Sequence, residues 1–290
     1  MMINALSVDV EEYFQVVAFA KVVKPEDWDV FPPRVEKNTK LVLDLLAEEG
    51  VKATFFCLGW VAKKYPALIR LIAQAGHEVA SHGVSHKPLF EMTPEEFRKE
   101  ARESKKVLED IAGQEVLGFR ASTYSVTRKT IWALKILAEE GYAYDSSIFP
   151  IYHDLYGIPS APRRPFVIKE HNLKEFPVST ARLGKMNIPV AGGGYFRLFP
   201  YFLTRYLLKR VNKKEKLPFV FYVHPWEFDP SQPRIKAPLK SRFRHYQNLS
   251  KTKKRFHKLL KDFSFAPLKE VLKSLESLPK VSLKELVDEG

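Results

Sequence analysis

The feature that most restricts this chain is a strict alternation, over its first half, of short apolar runs with longer helical patterns. The runs Ala5 to Val10, Ala53 to Leu58, Glu78 to Ser81, Val116 to Arg120 and Tyr142 to Ser146 read as strands. Between them Lys37 to Glu49, Trp60 to Ala75, Thr93 to Ile111 and Lys129 to Glu140 read as helices. Gly50, Gly76, Gly113 and Gly141 each stand just past a helical pattern, where a left-handed cap favours glycine. Thr93-Pro94-Glu95-Glu96 opens its helix with an N-cap, a proline at the first position and an acid three residues after the cap. Strand, helix, strand repeated in this way requires right-handed crossovers and a parallel sheet, open or closed, so the fold class is α/β.

After Pro150 the rhythm weakens into a segment rich in proline, glycine and aromatics that runs through Ala191-Gly192-Gly193-Gly194-Tyr195. The glycine triplet lacks the spacing and the strand-to-helix setting of a phosphate-binding loop and reads as a turn near the site mouth. A last apolar strand, Pro218 to Val223, ends at His224, followed by a basic stretch and a helical tail. With 45% hydrophobic and 28% charged residues the chain is in the globular range, which excludes a mostly disordered protein. The single cysteine, Cys57, lies in an apolar run and reads as a buried structural thiol. No secretory signal and no run of 18 apolar residues is visible, so the expected location is cytoplasmic. The net charge of +13 is concentrated: no acid occurs between Asp229 and Asp262, while lysines and arginines recur from Arg234 to Lys261. Such a stretch can meet nucleic acid, anionic lipid or an acidic glycan, or form a solvated basic face. No nucleic-acid reader motif accompanies it, so nucleic acid is set aside; a solvated basic face is the ordinary reading, and peripheral attachment to an anionic membrane surface through 234–261 is the alternative to it.

In parallel α/β folds ligands bind beyond the carboxyl ends of the strands. Five strand ends here carry ionisable groups: Asp9, Glu11 and Glu12; His82 and His86; Arg120; Asp145; and His224. Two histidines four apart can aim both imidazoles at one cation, and with one carboxylate they leave open positions on Zn²⁺ or a similar divalent ion. Such an ion acidifies water and polarises a carbonyl. Amide hydrolysis also needs a base for the water and an acid for the leaving amine, roles that suit Asp9 and His224. Arg120 then pairs with the base and Asp145 orients the histidine.

The order of acid cluster, His-x-x-x-His, arginine, aspartate and late histidine resembles the polysaccharide deacetylases of carbohydrate esterase family 4. The resemblance runs from about Ala5 to Asp229. It is nearest the branch associated with bacterial exopolysaccharide gene clusters, through Ser7-Val8-Asp9-Val10-Glu11, Ser81-His82-Gly83-Val84-Ser85-His86, Tyr144-Asp145-Ser146-Ser147-Ile148-Phe149-Pro150 and His224-Pro225-Trp226-Glu227-Phe228-Asp229-Pro230. It implies a distorted parallel barrel of about seven β/α units with a C-terminal helical extension. It implies Asp9 as base, His224 as acid, Arg120 and Asp145 tuning them, His82 and His86 as ligands of Zn²⁺, Co²⁺ or another divalent ion, and hydrolysis of acetamido groups on an N-acetylated oligo- or polysaccharide.

The chain departs from the family at two places. Val10 stands where a second aspartate is usual, so the third ligand is Glu11, which shares a strand face with Asp9, or Glu12 if the strand has already bent. Ala121-Ser122-Thr123-Tyr124 follows Arg120 where proline is usual, which loosens the expectation of a backbone donor there. Tyr13, Tyr124 and Trp226 lie beside the site residues in sequence and are the candidate sugar contacts. The expected organisation is a catalytic barrel over 1–230 and a basic extension over 231–290 packing on or continuing it. Two other functions fit parts of the pattern: hydrolysis of a small cyclic amide or ureide, and a non-catalytic glycan-binding barrel.

Overall fold

The computed structural model describes residues 2–288; Met1, Glu289 and Gly290, the outer ends of the two expected segments, lie outside the described residues. The strands are β1 (Ile3–Val10), β2 (Thr54–Cys57), β3 (Glu78–Ser81), β4 (Gly118–Phe119), β5 (Tyr144–Asp145), β6 (Phe166–Ile168), β7 (Leu173–Glu175), β8 (Thr180–Leu183), β9 (Met186–Pro189), β10 (Val220–Val223), β11 (Ser264–Ala266) and β12 (Lys280–Val281). The helices are α1 (Val35–Glu48), α2 (Gly59–Lys64), α3 (Pro66–Gln74), α4 (Pro94–Ala112), α5 (Ala133–Glu139), α6 (Gly193–Leu198), α7 (Tyr201–Lys213), α8 (Leu239–Tyr246), α9 (Leu249–Asp262), α10 (Leu268–Ser274) and α11 (Leu283–Val287).

Seven strands run parallel in the order β10-β1-β2-β3-β4-β5-β7, and β6 and then β12 extend the sheet from β7. The ring is closed by single bonds instead of a ladder. The free edge of β10 donates Tyr222 N to Ala191 O at 2.7 Å and Val220 N to Ser179 Oγ at 2.9 Å, and Ser179 lies just beyond β7. This is the distorted α/β barrel the resemblance implied. Two elements differ from their expected form. Trp60 to Ala75 is two helices, because Pro66 has no N–H to continue α2 and instead takes the first position of α3. The glycine triplet is the entry to α6, pressed against β10. A Cβ on Gly192, whose φ is 133°, would stand 1.8 Å from Tyr222 O, so only glycine lets the loop close here.

At the amino ends of the strands Leu268, Val271 and Leu272 of α10 bury with Ala5, Phe56, Ala80 and Tyr144, and the α10 backbone is tied to Thr54 Oγ1 and Glu78 Oε2. Burying each of those three side chains contributes about 1.5–3 kcal/mol, so α10 belongs to the core. With β11 paired to β1, the chain beyond 230 completes the barrel. The basic stretch becomes α8 and α9; α9 buries Thr252, Phe256, Leu259 and Leu260 and leaves Lys251, Lys253, Lys254 and Lys258 exposed. Among the described residues no helix is long and apolar enough to cross a membrane.

Candidate active site

Strand periodicity places Ser7, Asp9 and Glu11 on one side of β1, aimed at the carboxyl end of the barrel. Arg120, fully buried just after β4, reaches across to them. Its Nη1 donates to Asp9 Oδ1 at 2.6 Å and to Ser7 Oγ at 2.8 Å, while Nη2 and Nε are held by Ser146 Oγ and Ser146 O. A guanidinium with so many fixed donors positions one carboxylate oxygen and leaves Asp9 Oδ2 facing inward.

Glu11, His82 and His86 meet there, with ligand atoms all within 4.8 Å of one another. His82 follows β3, and its Nδ1 lies 2.7 Å from Arg120 O. A carbonyl can only accept, so Nδ1 carries the proton and the Nε2 lone pair faces the cluster. Burial keeps this imidazole neutral, pushing its pKa down to about 4. His82 Nε2 then stands 4.0 Å from Glu11 Oε2, an acceptor opposite a carboxylate, which is an arrangement a cation satisfies. His86 Nε2 contacts the same Glu11 oxygen at 2.6 Å. Burial alone would raise the Glu11 carboxyl; His86 first, with His224 and His82, outweighs it and holds the group well below the usual carboxylate range. The residues present therefore fit a divalent ion.

Glu12 does not join them. Its Oε1 accepts from Arg34 N at 2.8 Å and Val35 N at 3.0 Å, capping α1, and burial pushes its pKa up to about 7. The strand has turned by one residue at this point, which separates the two glutamates.

His224 faces the cluster from β10, with Nε2 3.9 Å from Asp9 Oδ2 and 3.8 Å from Glu11 Oε1. The structure corrects its expected partner. Asp145 receives Ser147 Oγ at 2.6 Å and Ser147 N at 3.2 Å, and Ser147 Oγ in turn accepts from Ala121 N. Asp145 thus anchors the loop after Arg120, and it sits in register with Glu175 of β7. Burial and the neighbouring Asp145 push Glu175 well up, so this pair holds a proton. The group beside His224 Nδ1 is Glu227, at 3.4 Å, itself buried and bonded at 2.7 Å by Arg197 Nε. Burial lowers the His224 pKa, but Glu227, Glu11 and Asp9 outweigh it and the net position is about 9. A signal for Glu227 exists in the sequence: Pro225 starts a one-turn helix, Pro225–Phe228, and the residue three after His224 folds back beneath it. Arg197, on α6, has no such signal.

The aromatic candidates also change role. Tyr13 is fully buried edge-on against Phe14, out of reach of any sugar. Trp226 is 5% exposed and sandwiched between His224 and His245, with its Nε1 donating to Glu11 Oε1 at 3.0 Å. It orients a carboxylate instead of offering a sugar platform. Tyr124 stays at the site wall, edge-on to Tyr222 at 5.2 Å, and Thr123 and Tyr124 both adopt positive φ. Such consecutive left-handed residues are strained and collect at functional loops. Cys57 is buried and its thiol is pushed up by burial, as an inert structural residue requires.

A parallel barrel with two imidazoles, a carboxylate, a held aspartate and a late histidine at its strand ends has the layout of a hydrolase centre. Residues 27–144 match the polysaccharide deacetylase family, and 146–273 match a domain of unknown function, DUF3473. Residues 27–144 thus carry a polysaccharide deacetylase domain. It is 37% identical over 75 residues to a peptidoglycan-N-acetylglucosamine deacetylase of Bacillus cereus, covering 26% of this chain and 27% of that protein. It is 40% identical over 70 residues to a chitooligosaccharide deacetylase of Rhizobium leguminosarum bv. trifolii, covering 24% of this chain and 33% of that one. The matches thus span about a quarter to a third of these relatives' length. A crystal structure from Mycobacterium smegmatis with a provisional polysaccharide deacetylase assignment shares the fold, with TM-score 0.65 and 20% identity over 96% of this chain and 92% of that one.

Proposed function

We propose that this protein is a metal-dependent carbohydrate N-deacetylase that hydrolyses acetamido groups of an amino-sugar oligomer or polymer, or of its lipid-linked precursor. The observation that carries the reading is the pairing of two held groups across one cluster. Arg120 fixes Asp9 on one side and Glu227 with Arg197 fixes His224 on the other, with His224 Nε2 3.9 Å from Asp9 Oδ2 and 3.8 Å from Glu11 Oε1.

Glu11, His82 and His86 would hold the ion, and when bound it supplies Lewis acidity toward a carbonyl oxygen and toward water. Asp9 Oδ2, free of Arg120, takes the proton of the attacking water as its oxygen bonds to the acetamide carbon. His224 Nε2 gives a proton to the amide nitrogen as the C–N bond breaks, and acetate and the free amine leave. Glu227 favours the protonated imidazole that this step needs. Zn²⁺ or Co²⁺ as the ion, exopolysaccharide synthesis as the setting, a cytoplasmic location, and contact of the exposed α9 lysines with anionic lipid belong to the same proposal.

The test is acetate release from N-acetylglucosamine oligomers by metal-stripped protein, with and without Zn²⁺ or Co²⁺, beside Asp9→Asn and His82→Ala. Metal-dependent release lost in both variants is the expected result. No release from any oligomer, with no ion retained, overturns the reading.

A further inference from the structure

A groove of about 1380 Å³ lies beside the catalytic cluster, between the segment 150–163 and the β8–β9 hairpin. Two properties set it apart from an ordinary wet surface. The first is charge: Arg128, Lys129, Arg163, Arg182 and Lys185 line it against a single carboxylate, Asp154. Arg163 is engaged with Glu215, and Arg128 Nη2 donates to Ser160 Oγ. Among the described residues the Arg182 guanidinium is held by neutral oxygens, Gly184 O and Asn187 Oδ1, while Glu215 accepts from its backbone N–H and pairs with Arg163. Lys129 and Lys185, both exposed, have no ion pair among the described residues.

The second property is a run of rings that connects this groove to the chemistry. Tyr222 stands 5.6 Å from His224 and Tyr124 stands 5.2 Å from Tyr222. Tyr156, which lines the groove, follows at 6.2 Å, and His153 is stacked on it at 3.8 Å and 9°. Tyr195, half-buried, forms part of the opposite wall. Tyr222 and Tyr124 are buried and packed edge-on, so they tie the groove wall to the catalytic centre, while the guanidinium and ammonium groups that line the groove suit carboxylates on the sugars of a bound glycan. On the exposed side Arg244 and Lys240 of α8 add positive potential that is felt at His153.

We infer that this groove is a subsite for an acidic glycan, in which carboxylate-bearing sugars meet Arg182, Lys185 and Lys129 while a neighbouring N-acetylated residue reaches the catalytic cluster. The inference builds on the deacetylase reading and narrows its substrate to a polymer in which amino sugars alternate or mix with uronic acids. Diffuse attraction by a chain of net charge +13 would also favour an acidic oligomer at low salt but would hardly change on loss of one or two groove cations, so the two accounts separate at the groove variants.

The experiment is calorimetric titration of the full-length protein with a tetrasaccharide of alternating glucuronate and N-acetylglucosamine, and in parallel with tetra-N-acetylchitotetraose, at low and high salt. The acidic oligomer should bind more tightly at low salt, with the advantage shrinking as salt screens it. R182A/K185A on one wall, and K129A alone on the other, should each lower the acidic-to-neutral affinity ratio, by about tenfold for the double variant. An unchanged ratio in both variants, or equal affinity of the two oligomers for the unsubstituted protein, overturns the inference. Acetate release is scored separately. A retained ratio effect without release would remove the enzymatic reading and leave the subsite standing, whereas release without a ratio effect would do the reverse.

Discussion

At the residue scale the site depends on side chains that never touch substrate. Arg197 and Glu227 are both buried, and an ion pair taken out of water is maintained only if each member is well satisfied. Glu227 meets that condition by also accepting from His224 N at 3.0 Å and lying against the imidazole. Glu227→Gln keeps the shape and removes the charge; kcat for acetate release should fall about 10²-fold with KM changed less than about twofold. A merely structural Glu227 would instead lower the folded fraction and leave kcat per folded molecule intact, and active-site titration of the purified variant tells these apart. Trp226 presents the complementary case. Its indole N–H holds Glu11 Oε1, so Trp226→Phe preserves the stack between His224 and His245 while freeing the carboxylate. Affinity for Zn²⁺ should drop about 10–100-fold in a chelator competition, and an unaltered affinity would show that Glu11 is oriented by the histidines alone.

At the element scale the short strands of the barrel are less important than the loops they launch. β4 and β5 ladder only through Gly118, Phe119, Tyr144 and Asp145, because Arg120 and Ser146 turn at once toward the site. A Cβ on Gly118 would lie 2.1 Å from the Tyr144 ring, so the glycine is what allows that ring to cross the interior. The seam at β10 is equally tight. Gly192→Ala should cost more than about 3 kcal/mol, since the new methyl meets the Tyr222 carbonyl in a backbone region closed to alanine. Urea unfolding reads this directly, and a loss under about 1 kcal/mol would mean that the seam relaxes. Much of this level is visible in the sequence. The alternation of apolar runs and helices and the capping box at Thr93 give the parallel barrel, and the ionisable groups read at its strand ends, Asp9, Glu11, His82, His86, Arg120 and His224, are the ones it brings together, because each depends on periodicity or on a neighbour a few residues away. The break at Pro66 was equally readable and is masked only by the apolar pattern running through it. What stays hidden is contact at long separation: Arg197 with Glu227, Asp145 with Ser147 and Ala121, and the burial of Tyr13, all of which depend on how loops pack over the barrel.

At the scale of the whole molecule, the same burial that holds the site makes the fold sensitive to acid. His77, at the start of β3, is 4% exposed, its ring on Phe55 and its Nδ1 accepting from Ala53 N at 3.1 Å. That bond exists only while Nδ1 is unprotonated, and burial first, then the Lys52 cation, pushes the pKa down to about 4. His245, with Nε2 at 2.7 Å from Gln232 Oε1 and its ring on Trp226, is pushed down by burial and Arg197 to about 3. For a base whose folded pKa is depressed, the unfolded chain binds the extra proton. The stability is then complete above about pH 6.5 and is lost as pH falls toward the folded values. Each such histidine tilts the stability curve by up to about 1.4 kcal/mol per pH unit in that window. Glu12, raised to about 7, tilts it the opposite way between about 4.5 and 7, so the net curve of the unsubstituted protein is not diagnostic. The difference between two proteins is. His77→Asn retains an acceptor for Ala53 N and cannot be protonated, so between pH 7 and 4.5 it should lose about 2 kcal/mol less than the unsubstituted protein in urea titrations. Parallel curves would mean that His77 is already charged in the fold and that the Ala53 amide finds its acceptor elsewhere.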